Sequence, residues 1–241
     1  SKLIEEERNR KSEMDEARGK QNELQKILQE KRAQADKLNR EIERLIAEEV
    51  ARKEREARER EERLLAERQR KEGKKRKEDK KDEQTIREEV RKEALVAEAE
   101  VFNLSNNFVA NKGRLPMPVT GAASIISSFG VQKHSEWNVS TNNSGIDIQA
   151  QSNSNIRSIF DGEVSRIIAF PGYNNCVILR HGEYYTFYAN IIDVYVKKGQ
   201  KVKTGEALGK IYTDSDTGVA TMHFQLWKKT TKLDPAPWLK R

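Results

Sequence analysis

Cysteine, proline and aromatic residues are scarce in this 241-residue chain, which has one Cys, five Pro and no Phe, Tyr or Trp before Phe102. The single cysteine, Cys176, excludes a disulfide framework within the chain and leaves the compartment undecided. The apolar runs are too short to span a bilayer, and the charged first residues are unlike a signal peptide. We therefore expect the chain to begin inside a helix, with any export signal removed.

The two halves of the chain differ in composition. Up to Asp82, runs of Glu, Arg and Lys are broken only by scattered Leu, Ile and Ala, and such a segment cannot build a globular core. From about Leu115, aromatic residues, glycines and short Val/Ile runs predict one compact domain. The net charge is +7, and its densest basic stretch is residues 70–81. No aromatic residues interleave there to stack on bases, so we interpret the stretch as solvated and predict no nucleic-acid partner.

A heptad seam is the main feature of the first 72 residues. Apolar residues recur there at alternating steps of three and four, and charges of opposite sign flank them at helical spacing. We predict a coiled-coil helix over residues 1–72, whose partner is either a second chain or a preceding segment that folds back on it. Gly73, within a run of like charges, predicts a charged hinge over residues 73–84. The seam comprises Leu3, Met14, Ala17, Leu24, Leu28, Ala35, Leu38, Ile42 and Leu45.

A second, amphipathic helix is predicted to start at Thr85, which can cap it together with Glu88 in a capping box. We assign residues 85–112 to this regulatory helix and its linker. Its apolar face requires a groove, so the helix either packs on the C-terminal domain or is a removable cover over a binding site. The face is formed by Ile86, Val90, Ala94, Ala97, Val101 and Leu104.

Residues 113–241 alternate short β-type runs with turn residues. This pattern predicts a mainly antiparallel β domain and, with the two helices, an α+β multidomain chain. The number, order and spacing of eight segments resemble the LytM (lysostaphin-like) zinc peptidases over this whole stretch. The segments are Leu115-Pro-Met-Pro-Val, Ser128-Phe-Gly, Gly145-Ile-Asp-Ile, Asp161-Gly-Glu-Val, Gly172-Tyr-Asn-Asn-Cys-Val-Ile-Leu-Arg-His-Gly, Tyr185-Thr-Phe-Tyr-Ala, the hairpin of residues 196–209 and Met222-His-Phe-Gln-Leu.

The resemblance implies five active-site positions, three of which carry unsuitable residues here. In active members, a His-x-x-x-Asp and the last His of a His-x-His hold zinc, and two further histidines handle protons. We predict no metal, no cofactor and no catalysis, because only an Asp and a His remain as good ligands and the two proton-handling positions carry no base. The five positions correspond to Asn143, Asp147, His223, Asn190 and Thr221.

The retained pair, Asp147 and His223, is expected to form a hydrogen bond or to line a groove. The other two histidines, His134 and His181, are interpreted as surface or turn residues rather than replacement ligands.

A coiled coil, an amphipathic helix and a degenerate LytM domain, in this order, resemble the EnvC-type murein hydrolase activators. The resemblance implies a periplasmic protein whose coiled coil docks on an FtsEX-type membrane complex. It also implies a groove that switches on N-acetylmuramoyl-L-alanine amidases in cell separation, a helix that covers this groove, and peptidoglycan as an additional candidate ligand. The positions that match the groove are Ser144, Asp147, Tyr173, Cys176, Tyr188, His223 and Trp227.

Ordinary strand packing stays an alternative for Tyr173 and Tyr188, whereas Trp227 is expected to be exposed after a strand end. Three other functions stay open for the chain: a zinc-dependent peptidoglycan endopeptidase with an atypical ligand set, a passive peptidoglycan-binding scaffold, and an efflux-pump adaptor. The adaptor is disfavoured because its helices interrupt a lipoyl-type hairpin, whereas here they precede the whole β domain.

Overall fold

The computed structural model describes the backbone of residues 2–75, 82–134 and 139–240. Two helices come first, α1 (Lys2–Lys75) and α2 (Asp82–Ala110). Helix α1 continues through Gly73, and residues 76–81 of the predicted hinge lie outside the described part. Helix α2 begins before Thr85, so this residue lies inside the helix rather than at its cap. Within the described helices, no segment is long and apolar enough to cross a membrane.

The chain divides into two compact units, Ser1–Ile42 and Glu43–Arg241. The first unit is the N-terminal part of α1. Its seam residues Leu3, Met14 and Leu24 are exposed in this single chain, so coiled-coil pairing stays a prediction. The second unit contains the rest of α1, helix α2 and every described strand.

The second unit is built on one large, mainly antiparallel sheet with the order β1-β4-β11-β8-β7-β6-β9. Strand β10 joins β5 to β8, β12 extends the sheet beside β11, and β2 and β3 form a separate two-stranded ribbon. The α+β fold class is therefore confirmed. The strands are β1 (Ala123–Ser127), β2 (Gly130–His134), β3 (Val139–Asn143), β4 (Ile146–Ala150), β5 (Asn155–Arg157), β6 (Gly162–Phe170), β7 (Asn174–His181), β8 (Tyr184–Val194), β9 (Lys201–Val202), β10 (Ala207–Ile211), β11 (Ala220–Lys228) and β12 (Thr231–Leu233), before a 3-10 turn at Ala236–Trp238.

The inner face of this sheet carries the hydrophobic core. Alternate residues of the central strands point into it, because successive side chains of a strand lie on opposite faces. Tyr188 and Phe224 are both fully buried there, with ring centroids 5.2 Å apart. The core includes Ile146, Ile148, Val177, Leu179, Tyr188, Met222, Phe224 and Leu226.

The opposite, outer face of the sheet is also largely buried. We define the outer face by Asp147, Ile178, Tyr185, Phe187, His223, Gln225 and Trp227, which alternate with the core residues along β4, β7, β8 and β11. Its apolar members Ile178, Tyr185, Phe187 and Trp227 are all less than 5% exposed, although none belongs to the core cluster. A second layer must therefore cover them.

Helix α1 covers one end of this face through residues 43–53. Glu43 forms an ion pair with Lys232 on β12, and Leu45 and Ile46 are buried. Burial raises the pKa of Tyr185 to about 12; nearby Arg180 opposes the rise, and the Glu49 carboxylate of α1 adds to it. This segment of α1 therefore lies on the Tyr185 and Trp227 end of the outer face.

The described end of α2 contacts the other side of the sheet. Phe108 is fully buried in the core and stacks on Tyr184 at a centroid distance of 4.8 Å. The backbone N–H of Glu183 donates to Ser105 Oγ (3.0 Å), which ties the helix to the turn between β7 and β8. The C-terminal part of α2 therefore does not cover the groove as predicted. Of the predicted apolar face, Val101 is exposed there and Leu104 is half-buried. The side chains of Ile86, Val90, Ala94 and Ala97 lie outside the described residues.

His181 is a structural residue of the core. Its Nδ1–H donates to the carbonyl of Asp161 (2.7 Å), and its Nε2 lies 2.8 Å from Thr186 Oγ1, so both ring nitrogens are engaged. Burial lowers the pKa of His181 to about 4. His181 is therefore no replacement ligand for a metal.

This pKa predicts a loss of stability in mild acid. The unfolded chain binds a proton at His181 near pH 6.5 and the folded chain only near pH 4, so the stability is complete above about pH 6.5 and falls towards pH 4. Between pH 7 and pH 5 we expect a loss of about 2 kcal/mol in the free energy of unfolding, measured by urea denaturation. The variant His181→Gln should lack this part of the pH dependence. An equal pH dependence in both proteins would contradict the assignment.

Candidate functional site

The site predicted from the sequence lies where β4 and β11 pair. Asp147 and His223 occupy directly opposite positions of the two strands, and both side chains are partly buried. Gly145 allows the strands to approach, since a Cβ at that position would lie 2.1 Å from the carbonyl oxygen of Phe224. His223 Nδ1 and Asp147 Oδ1 are 2.8 Å apart and form a direct hydrogen bond.

Asn143, at the end of β3, supports the carboxylate of this pair. Its Nδ2 donates to Asp147 Oδ2 (3.1 Å) and to Ser127 Oγ (3.0 Å), and its Oδ1 accepts from the backbone N–H of Gly145. The amide therefore turns its nitrogen, not its oxygen, towards Asp147. A side chain held in this way stabilises a carboxylate and offers no metal ligand there.

Asn190 and Thr221 stand where the LytM resemblance implies the two proton-handling histidines, and a hydrogen bond joins them. Asn190 Oδ1 accepts from Asn174 Nδ2, and Asn190 Nδ2 donates to the carbonyl of Thr221. Asn190 has a φ of 71°, a left-handed conformation that asparagine tolerates better than most residues. Neither side chain can exchange a proton with a substrate near neutral pH.

The arrangement does not fit a zinc site as it stands. In a tetrahedral zinc site each ligand atom lies about 2.0–2.2 Å from the metal, so two ligand atoms lie roughly 3.3 Å from each other. His223 Nδ1 and Asp147 Oδ1 are closer than that, at 2.8 Å, and are joined by a hydrogen bond instead of a metal. In the described part of the chain, no group of three or more His, Cys, Asp or Glu could hold a metal. The side chain of His134 lies outside the described residues.

Of the predicted groove residues, Tyr173 and the Asp147–His223 pair lie together. The half-buried Tyr173 ring has its centroid 6.2 Å from that of His223. Ser144 and Cys176 are close in sequence to this region but buried, and burial raises the pKa of the Cys176 thiol to about 12. The open part of the groove is thus smaller than predicted.

One groove prediction, Tyr188, is wrong, and so is the predicted exposure of Trp227. Tyr188 points into the core, where its hydroxyl accepts from the backbone N–H of Ile159 (3.1 Å) and its side chain is fully buried. Trp227 does lie on the outer face, but it is 1% exposed, because β11 continues past it to Lys228 and the covered end of the sheet encloses it.

Four residues of the outer face were not predicted as site residues, and neither was the adjoining Lys232; the four are Ile178, Tyr185, Phe187 and Gln225. Phe187 lies beside His223, with ring centroids 6.3 Å apart, and the Lys232 ammonium lies 5.2 Å from the Trp227 ring centroid. A period of two along β11 places Gln225 on the same face as His223, so this signal was present in the sequence. Lys232 comes from the next strand and had no such signal.

A comparison with protein families agrees with this geometry. Residues 141–235 match Peptidase family M23, and this segment includes Asn143, Asp147, Asn190, Thr221 and His223. The chain contains a peptidase M23 (LytM-type) domain. The match begins within the β2–β3 ribbon and ends just after β12, so it covers the strands that build the site.

Relatives of this M23 domain include two proteins of Escherichia coli strain K12. The uncharacterized lipoprotein YgeR is 36% identical over 101 residues, covering 40% of this chain and 39% of that protein. The murein hydrolase activator EnvC is 25% identical over 148 residues, covering 60% and 33%. Among solved structures, Csd3 of Helicobacter pylori has a TM-score of 0.44 at 27% identity, covering 53% of this chain and 35% of that chain. The chain spans between 22% and 39% of the curated relatives that it matches.

Proposed function

We propose that this protein is a non-catalytic regulator that binds and activates peptidoglycan N-acetylmuramoyl-L-alanine amidases. The M23 domain and the likeness to a murein hydrolase activator fit a peptidoglycan-related role. The observation that carries the non-catalytic part is the site itself. Asp147 and His223 bond to each other, and the amides of Asn143 and Asn190 are engaged in neighbouring hydrogen bonds.

The open end of the outer face is the proposed contact surface. Tyr173, Asp147 and His223 combine a half-buried aromatic ring with a carboxylate and an imidazole, and tyrosine is a frequent anchor of protein interfaces. The buried residues Phe187 and Trp227 continue this surface towards the end that α1 covers. A partner that uses the whole outer face must therefore displace residues 43–53 of α1.

Regulation in this proposal comes from α1 rather than α2. The cover and the partner compete for one face, so a partner shifts the equilibrium only by binding the uncovered form more tightly. An FtsEX-type membrane complex that moves the coiled coil would act on the same helix. A lipoprotein and a murein hydrolase activator among the relatives support an extracytoplasmic, periplasmic location.

Release of labelled fragments from purified peptidoglycan tests the function. The protein is assayed alone, candidate amidases are assayed alone, and the two are then combined. We expect release only in the combined reactions, beyond that of the amidase. Release by the protein alone, dependent on zinc and accompanied by new amino groups, would establish an endopeptidase instead. Co-sedimentation with peptidoglycan without any stimulation would support a scaffold.

Replacing Tyr173 by alanine should weaken activation. We expect Tyr173→Ala to lower amidase stimulation about tenfold at limiting protein, because an anchoring aromatic side chain contributes roughly 1–3 kcal/mol to an interface. The far-UV circular dichroism should stay unchanged, since the ring is only half-buried. The matched control is Tyr195→Ala, whose side chain is 53% exposed outside this surface. Equal stimulation by both variants would remove Tyr173 from the proposed interface.

A further inference from the structure

A chain of side-chain hydrogen bonds runs along the outer face of β11 to the Asp147–His223 pair. The indole Nε1–H of Trp227 donates to Gln225 Oε1 at 3.0 Å. The amide nitrogen Nε2 of Gln225 lies 2.9 Å from His223 Nε2. The other ring nitrogen of His223, Nδ1, lies 2.8 Å from Asp147 Oδ1. Four side chains are thus linked in series.

The indole at one end of the chain determines the direction of every bond in it. An indole N–H is a donor only, so it requires the oxygen of the Gln225 amide. The NH2 group of the same amide then faces His223 Nε2, which must present its lone pair. A proton on Nε2 would instead place two donors against each other. The ring proton of His223 therefore lies on Nδ1 and is donated to the Asp147 carboxylate.

Burial keeps this order in place. Trp227 is 1% exposed and Gln225 is fully buried, so neither side chain can turn to water for a replacement partner. If the Gln225 amide rotated to accept a proton from His223 Nε2, the buried indole N–H would lose its acceptor. A buried donor without a partner is strongly disfavoured.

The position of the ring proton matters for metal binding. Nδ1 is the ring nitrogen of His223 that faces Asp147. A metal bound by both residues would therefore need the lone pair of Nδ1, and the ring proton would have to move to Nε2. We propose that Trp227, acting through Gln225, keeps the proton of His223 on Nδ1 and thereby excludes zinc from the Asp147–His223 pair. Trp227 and Gln225 are positioning residues in this role, and a restored ligand set alone would bind zinc poorly. This inference goes beyond the proposed function and does not depend on the amidase.

Nitrogen-15 NMR of the imidazole rings tests the first part directly. The chain has three histidines, so comparison with His134→Gln and His181→Gln assigns the His223 signals. We expect the wild-type protein at pH 7.5 to show a protonated Nδ1 and a hydrogen-bonded, unprotonated Nε2 at His223. A protonated Nε2, or averaging between the two neutral forms, would overturn the inference.

Zinc competition with a chromophoric chelator tests the second part. The starting variant is Asn143→His, which returns a third ligand type to the site. Adding Gln225→Glu, a near-isosteric change, supplies oxygens that accept from both the indole and His223 Nε2. Adding Trp227→Phe instead removes the indole N–H, and with it the donor that requires the oxygen of the Gln225 amide. We expect each double variant to bind zinc at least about tenfold more tightly than Asn143→His alone.

The control is Phe187→Leu in the same background. This change also alters a buried aromatic ring beside His223, but it leaves the hydrogen-bond chain intact. We expect its zinc affinity to equal that of Asn143→His alone. Equal affinities in all four variants, or the same gain with Phe187→Leu, would overturn the positioning role. Amidase stimulation by the wild-type chain is unaffected by either result, so the proposed function is tested separately.

Discussion

Replacing Leu45 and Ile46 of α1 together by aspartate should raise amidase activation by more than tenfold at limiting protein. Both side chains are buried in the segment of α1 that covers the outer face. Burying two carboxylates there would cost several kcal/mol, and each 1.4 kcal/mol changes the ratio of covered to uncovered protein tenfold. The uncovered form exposes the Tyr185 and Trp227 end of the outer face to the amidase. The measurement is the dependence of fragment release on the concentration of activator.

The control for this prediction is Ala47→Asp. It introduces one carboxylate in the same turn of α1, at a position where the side chain is exposed. We expect wild-type activation from this variant. The double variant should also gain exposed apolar surface, visible as increased binding of a hydrophobic dye, while its β circular dichroism is retained. Exposed apolar surface without increased activation would show that the outer face is not where the amidase binds.

The identity of the covering helix could not be predicted from the sequence. The Thr85 helix has a clear apolar face and lies next to the domain along the chain, so the sequence pattern favours it as the cover. In α1, the buried face around Leu45, Ile46 and Glu49 is short and lies among charged residues. Its position depends on contacts far apart in sequence, such as Glu43 with Lys232. No local pattern reports a pairing of that kind.

The degenerate site was predictable to a larger extent. Asn143 and Asp147 have the spacing of a His-x-x-x-Asp motif, and His223 occupies the last position of a His-x-His motif. The structure brings these three residues together. The side of the sheet on which each residue of β8 lies was not predictable by periodicity. The run Tyr184-Tyr-Thr-Phe-Tyr-Ala is buried on both faces, so a period of two gives no contrast between them. The resemblance therefore predicts Tyr188 in the groove, whereas its ring lies in the core.

Replacing Tyr188 by alanine should destabilise the M23 domain by about 3–5 kcal/mol. The substitution removes a fully buried ring that packs on Phe224, and it leaves a cavity in the core. It also deprives the buried backbone N–H of Ile159 of its acceptor. The measurement is the free energy of unfolding from urea denaturation, with the slope of the transition checked for two-state behaviour. A change below about 1 kcal/mol would show that the ring is not part of the core.

The companion variant Tyr188→Phe separates the ring from the hydroxyl. It keeps the packing on Phe224 and removes the acceptor for Ile159, so we expect a loss of roughly 1–2 kcal/mol. Amidase activation by Tyr188→Phe should equal that of the wild type, because the hydroxyl lies on the inner face. A loss of activation in Tyr188→Ala would then follow from unfolding rather than from a lost partner contact. If Tyr188→Phe stays as stable as the wild type but fails to activate, the hydroxyl must act in the groove after all.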